Sequence, residues 1–477
     1  MIERREFYID GAWVAPTASR DFTVINPSTE EPAAVISLGG EADTNAAVAA
    51  ANRAFADWST TAPDERIAIV ERALEIYLRR KDEMGDLISL EMGAPRTMAR
   101  RSQADECNIV DALAAARDFH WLRPTDPKTP GSMIAMEAIG TIGMITPWNW
   151  PISQVTLKVF PALLAGCTMV LKPSEYAPLD AMLLADILHE AGVPKGVFNL
   201  VNGDGEGVGT QLSRHPGIDM ISFTGSTRAG IAITKAAADS LKRVSLELGG
   251  KGANIVFADA DDRAVQRGVR HCFNNTGQSC NAPTRMLVER SIYDRAVETA
   301  REVAEATRVG PAHEEGPHIG PLVNERQFDR VQALIQKGID EGARLVAGGV
   351  GRPEGLNRGF FVRPTVFADV VPGMTVEREE IFGPVLSMIP FDTEEEAIAI
   401  ANDTPYGLTN YVQSQNGARR NRLARRLRSG MVEMNGKSRG AGAPFGGVKA
   451  SGLAREGGVW GLEEYLTPKS ISDWAAE

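Results

Sequence analysis

From residue 141 onward, short apolar runs alternate with longer amphipathic stretches. Residues 141–146, 168–171, 197–201, 220–223 and 244–248 read as strands, and 151–165, 178–191, 205–213 and 227–241 as the helices between them. Leu179, Met182, Leu183 and Ile187 share one helical face, and Gly192 and Pro194 stop that helix. Strands and helices at this pitch predict βαβ units and a parallel sheet covered on both faces. A second α/β series begins near Gly252, with 254–257, 286–289, 360–366 and 385–391 as strands. Upstream, residues 43–120 carry Ala, Glu, Arg and Leu at helical spacing and predict consecutive helices, while Gly11-Ala12-Trp13 reads as a hairpin. After a Pro-containing break at 124–131, residues 133–138 read as a strand, as does the terminal segment 466–474. The pattern therefore predicts an α/β protein with a doubly wound domain followed by a second α/β domain.

A chain of 477 residues exceeds one hydrophobic core and implies two or three domains. The formal charge of -11 opposes nucleic-acid binding, which needs basic surface to displace counterions. The basic run from Arg419 to Arg428 reads as a solvated helix face. Cys107, Cys167, Cys272 and Cys280 show no paired spacing, so a reducing compartment is expected. No apolar leader or 18-residue apolar span occurs, and the expectation is a cytoplasmic protein with no membrane partner. The histidines lack metal-ligand spacing, so no metal is expected.

Two segments carry candidate chemistry. In Phe273-Asn-Asn-Thr-Gly-Gln-Ser-Cys280-Asn-Ala-Pro-Thr-Arg285, a single cysteine follows a Gly-Gln turn among small and polar neighbours. A thiol nucleophile needs a donor-rich or electropositive site to ionise. In Leu246-Glu247-Leu248-Gly249-Gly250-Lys251 a carboxylate sits between apolar residues, which raises its pKa and suits a general base. Cys167 and Cys272, in apolar segments, read as core residues, and His271 as structural. Asn149 lies in a turn between Pro147 and Pro151, where it serves either as a rigid donor or as a simple turn residue. Gly225-Ser226-Thr-Arg-Ala-Gly230 follows a strand and opens a helix, a geometry that aims free amides at a phosphate.

These segments resemble the signatures of the aldehyde dehydrogenases. FNNTGQSCNAPTR is similar to their cysteine signature and LELGGK to their glutamate signature, and TPWNWP, LKPSE, FTGST, EEIFGPV and PFGGVKASG follow the family order along nearly the whole chain. The resemblance implies a Rossmann-like cofactor domain (1–119 and 139–248), a catalytic domain (249–447) and a β flap (120–138 and 459–477) used to form a homodimer or homotetramer. It implies oxidation of an aldehyde to the acid through Cys280, with Asn149 and the Cys280 amide facing the carbonyl oxygen and Glu247 activating water. Acylating relatives typically lack that glutamate, so release of a free acid is expected. The matching cofactor positions are Trp148, Lys172, Ser174, Glu175, Gly225, Ser226, Glu380 and Phe382. Glu175 implies NAD, while Ser174 beside Lys172 keeps NADP open. Substrate positions are Trp150, Gln154, Leu157, Ser279, Asn281 and the loop with Lys437, Ser438 and Arg439 before Phe445; their polarity and charge suggest a polar or anionic aldehyde. Lys158 matches a lysine near the glutamate. The tail departs from the family's SGxGRE, with Ala454 at the second glycine. A redox-free thiol hydrolase and a non-catalytic relative are the competing readings.

Overall fold

The computed structural model describes residues 1–125, 128–129 and 131–475. Asp126, Pro127, Pro130, Ala476 and Glu477, all within the segments read as the flap, lie outside the described residues.

The first large sheet has five parallel strands in the order Arg243–Glu247, Met220–Thr224, Thr141–Ile145, Thr168–Lys172 and Phe198–Leu200. The hairpin Phe7–Ile9 and Ala12–Val14 extends it antiparallel, turning on Asp10 and Gly11 at φ 51° and 81°. An Asp-Gly pair is the chemistry such a two-residue turn demands. Both faces are covered. Met169 and Leu171 point into one apolar cluster and Val170 into another. This is why the strands read as continuous apolar runs rather than alternating ones.

The second large sheet runs Arg344–Ala347, Thr365–Ala368, Val385–Phe391, Arg285–Glu289, Ala253–Val256, Thr409–Gln413 and Met431–Met434, parallel except for its antiparallel first edge. Ile255 and Leu287 face one cluster, and Val256, Met286 and Val288 the other. A small antiparallel sheet joins Leu122–Pro124, Met133–Ala138 and Leu466–Ile471.

Several expected boundaries move. The run 360–366 is a strand only from Thr365, because Phe360 instead exchanges backbone bonds with Pro27 and Leu322 across the fold. The terminal strand stops at Ile471 rather than 474. The segment 205–213 is a π-helical turn, Gly205–Gly209, running into the short helix Thr210–Arg214. The helical stretch 43–120 resolves into Glu41–Trp58, Pro63–Arg79, Lys81–Glu91 and Cys107–Arg117, with shorter turns from Arg96 to Gln103. The paired strands Asp21–Asn26 and Glu31–Ser37, the inner strand Thr409–Gln413 and the edge strand Met431–Met434 escaped the periodicity reading.

Candidate active site

In the first sheet the chain runs outward through Thr141–Ile145, Thr168–Lys172 and Phe198–Leu200, then returns to the other side for Met220–Thr224 and Arg243–Glu247. The reversal falls between Thr141–Ile145 and Met220–Thr224. Ligands of open parallel sheets bind at the carboxyl ends of the strands at such a point. The parallel register pairs Ile145 with Lys172 and Phe223, and Thr224 with Glu247. Asn149, Lys172 to Glu175, Gly225, Ser226 and Glu247 are therefore delivered to one edge.

Cys280 arrives from the second sheet's side on a heavily constrained loop. Asn275, Thr276 and Gly277 follow one another at φ 52°, 56° and 71°. A Cβ at Gly277 would lie 2.1 Å from the Gly383 carbonyl oxygen, so only glycine fits the turn. Asn275 is the hub of a buried chain: Gln103 Nε2 donates to its Oδ1 (2.9 Å), and its Nδ2 donates to the Asn149 carbonyl (2.8 Å). Asn149 Nδ2 in turn donates to the Gln278 carbonyl (3.0 Å), which leaves its second amide hydrogen for another acceptor. Gln278 Oε1 accepts from the Val323 amide, Trp150 Nε1 donates to Ser279 Oγ (2.9 Å), and Tyr411 donates to the Asn281 carbonyl (2.7 Å). Each residue flanking the thiol is thus tied to a different element.

The electrostatics of Cys280 differ from the electropositive surroundings expected of it. The residue is only partly exposed, and burial, then Glu247 and Glu380, push its thiol well above the ordinary cysteine pKa. Backbone hydrogen bonds from Asn281 and Cys280 pull the other way and do not prevail. In this state the sulfur keeps its proton.

Glu247 ends its strand and is 2% exposed. Among the described residues neither of its carboxylate oxygens has a hydrogen-bond partner. Burial, then the nearby Glu456 carboxylate, raise its pKa well above the usual range, against Lys158 and Arg455. Glu456 is itself held by the buried Lys158 ammonium. Its backbone exchanges two hydrogen bonds with Phe445 (2.7 and 2.8 Å). Sequence reading noted Lys158 and missed Glu456, whose only signal was the charged pair in the departed tail motif.

On the cofactor side, Ser226 caps helix Thr227–Ala238, its Oγ accepting from the Ala229 amide, and is itself exposed. Lys172 Nζ is held by the Gly203 and Pro173 carbonyls (2.6 and 2.9 Å) and reaches Glu175 at 3.4 Å. Ser174 Oγ accepts from the Tyr176 amide (3.3 Å). Trp148 and Phe382 meet edge to face at 5.5 Å. Glu380 Oε1 accepts from the Gly250 amide (2.9 Å), and burial raises its pKa to about 7. An open helix N-terminus, a carboxylate one turn past a strand end and a second carboxylate beside paired aromatic rings fit the phosphate, ribose and ring parts of a dinucleotide.

Of the expected substrate positions, Gln154 is buried with no hydrogen-bond partner for its Oε1 among the described residues, and Ser279 and Asn281 are partly exposed. Arg439 is exposed, donates to the Ala443 carbonyl (3.0 Å) and stacks 5.2 Å over the Phe445 ring; Lys437 and Ser438 are exposed beside it. Among the described residues no group of three His, Cys, Asp or Glu side chains could hold a metal ion, and no helix is long and apolar enough to cross a membrane.

Comparison with known proteins agrees with this geometry. Residues 13–471 match the model of the aldehyde dehydrogenase family, and the chain belongs to that family. It is 48% identical over 475 residues, 99% of both chains, to 3-succinoylsemialdehyde-pyridine dehydrogenase of a Pseudomonas species. The crystal structure of an aldehyde dehydrogenase from Bartonella henselae superposes with a TM-score of 0.98 at 59% identity, covering 99% of this chain and 100% of that one. A mutant of aldehyde dehydrogenase C from Pseudomonas syringae, in complex with NAD+ and octanal, superposes with a TM-score of 0.96 at 48% identity, covering 99% and 97%.

Proposed function

We propose that this chain oxidises an aldehyde to its carboxylic acid with NAD, through a thioester on Cys280 that water cleaves with Glu247 as base. The observation that carries the reading is the pairing of a thiol on a rigid loop with a buried carboxyl group whose two oxygens are uncommitted. The Cys280 thiol passes its proton to solvent water as Sγ adds to the carbonyl carbon, and the carbonyl oxygen takes the negative charge. The free amide hydrogen of Asn149 and the Cys280 amide stabilise that oxygen; one such donor lowers the barrier by about 3–4 kcal/mol. When bound, NAD accepts the hydride that leaves the carbon. Cys280 then holds the acyl group while Glu247 removes a proton from water, whose oxygen attacks the carbonyl. The acid departs and the sulfur is released. The raised pKa of Glu247 makes it a more effective proton acceptor than an exposed carboxylate near neutrality.

Trp148, Ser226, Gly225, Glu175, Lys172, Glu380 and Phe382 hold the cofactor in this reading. Ser174 is engaged with the Tyr176 amide and Glu175 opposes a 2′-phosphate, which favours NAD over NADP. The proposed domain division is 1–119 with 139–248, then 249–447, with 120–138 and 459–477 as the flap, and it is supported by the two large sheets and the small antiparallel one. Assembly as a homodimer or homotetramer is supported by the exposed apolar side chains of Ile231, Leu241, Leu453 and Trp460. The substrate is an aldehyde with a polar or anionic tail, supported by the unpartnered Gln154 Oε1 and the cations of the 437–439 loop.

The test is Glu247→Gln. Turnover falls by about 10²–10⁴, and intact-mass measurement after mixing with aldehyde and NAD finds an acyl adduct on Cys280. Ordinary turnover with no adduct assigns deacylation to another base.

A further inference from the structure

The carboxamide of Asn275 has no place in the steps above, yet it touches both segments on which they depend. Its Nδ2 donates to the Asn149 carbonyl (2.8 Å) and to the Gln278 carbonyl (3.3 Å). The Gln278 carbonyl also accepts from Asn149 Nδ2 (3.0 Å). Asn149 lies in the turn between strand Thr141–Ile145 and helix Pro151–Ala165, and Gln278 lies in the loop that carries Cys280. The three bonds form a closed clamp between those segments.

Backbone carbonyls only accept hydrogen bonds, so the direction of each amide follows in turn. Asn275 must present its nitrogen to the two carbonyls, which turns Oδ1 away from them. There Gln103 Nε2 donates to it (2.9 Å). Gln103 therefore has to present nitrogen rather than oxygen, and among the described residues its Oε1 has no partner. Asn275 has then committed both amide hydrogens, and the Gln278 carbonyl both lone pairs. Asn149 alone keeps a hydrogen free. All four side chains are buried, with Gln103 at 0%, Gln278 at 1%, Asn275 at 3% and Asn149 at 5% exposure, so each lost bond is costly. The backbone of Asn275 is left-handed, at φ 52° and ψ 32°, a conformation that asparagine tolerates better than most residues.

We propose that Asn275, oriented by Gln103, is a positioning residue for the oxyanion: it fastens the backbone of Asn149 to that of Gln278 and so fixes the direction of the free Asn149 hydrogen relative to Cys280. The inference rests on the reading of Asn149 as a donor to the carbonyl oxygen. A donor held in place needs no reorganisation as charge develops on that oxygen. Without the Asn275 nitrogen, the Asn149 amide is tied to the cysteine loop by one bond and turns about it.

The experiment compares steady-state kinetics of the full-length enzyme with variants at all three positions. Asn275→Asp keeps the shape and tolerates the left-handed backbone, but it places oxygen where two carbonyls need a donor. Its kcat falls by about 10–100-fold, while KM and the NAD dissociation constant change by less than about threefold. Asn149→Ala lowers kcat by about 10²–10³. In the double variant kcat stays within about threefold of Asn149→Ala alone, because both substitutions act through one hydrogen. Gln103 supplies a measurement that leaves position 275 unaltered. Gln103→Glu donates to Asn275 Oδ1 only while its carboxyl group is protonated, so its kcat falls as pH rises, along a limb absent from the wild type. Gln103→Leu lowers kcat at every pH and shows no such limb. Wild-type kcat in Asn275→Asp, or losses that multiply in the double variant, overturns the role of Asn275. If Asn275→Asp does not fold, the Gln103→Glu profile decides, and a profile parallel to that of the wild type overturns the role. Wild-type kcat in Asn149→Ala is a different failure, since it removes the reading of Asn149 on which the inference stands.

Discussion

At the scale of single residues, the site joins groups whose charged states oppose one another. Burial disfavours the negative forms of Glu247, Glu380 and the Cys280 thiol alike, and the pKa of each is raised. Lys158 is buried and paired with Glu456, and among the described residues the buried Lys251 Nζ has no hydrogen-bond partner. Arg439 is different. It is exposed, and its contacts are a carbonyl and a ring face. A semialdehyde bearing a carboxylate is expected to show a higher kcat/KM than an apolar aldehyde of equal length. Arg439→Ala should raise KM for the acid selectively, by roughly the tenfold that a partly exposed charge-assisted contact represents. Equal loss for both substrates would remove Arg439 from substrate selection.

At the scale of elements, the geometry proposed for catalysis depends on a loop that is not regular structure. Asn275, Thr276 and Gly277 sit in the left-handed region, where non-glycine residues cost about 1 kcal/mol or more each, and the surrounding hydrogen bonds hold them there. Gly277 is the least replaceable, since a methyl group would strike the Gly383 carbonyl. Gly277→Ala is expected to lower Tm by several degrees and to reduce kcat more than tenfold, because the shift passes through Gln278 and Ser279 to the sulfur. An unaltered kcat would show that the loop relaxes without moving Cys280.

At the scale of the whole molecule, two covered parallel sheets contribute to the proposed site. The first delivers Asn149, the Gly225–Ser226 turn and Glu247; the 264–285 segment of the second half delivers Cys280. The small sheet touches the first apolar cluster through Leu466, Met136 and Ala138, and its strand Met133–Ala138 is paired on both sides with its side chains only partly buried. Leu241, 93% exposed at φ 52°, follows the end of helix Thr227–Ala238 and has no packing role in the single chain. If that surface lies in an assembly, Leu241→Asp should leave Tm of the isolated chain nearly unchanged and shift sedimentation toward a smaller species. A shift in Tm with unchanged sedimentation would place the interface elsewhere. Asp tolerates the left-handed backbone there.

What the sequence determined by itself was everything local. Short apolar runs alternating with helical stretches predicted the parallel strands 141–146, 168–171, 220–223 and 244–248 within a residue or two, because a strand covered on both faces is apolar along its whole length. The short spacing around Gly277 and Cys280, and the apolar flanks of Glu247, singled out the candidate chemistry. Tertiary structure decided what depends on residues far apart in the chain. Glu456 lies far along the chain from Glu247, and only the fold sets it beside that carboxyl group. The sequence suggested a cysteine in donor-rich surroundings; burial and two converging carboxylates reversed the sign of its pKa shift. Residues 360–364 look like a strand, yet Pro27 and Leu322 take the backbone bonds of Phe360. Hydrophobic pattern is a property of neighbours in sequence, whereas charge state and backbone partnership are set by neighbours in space.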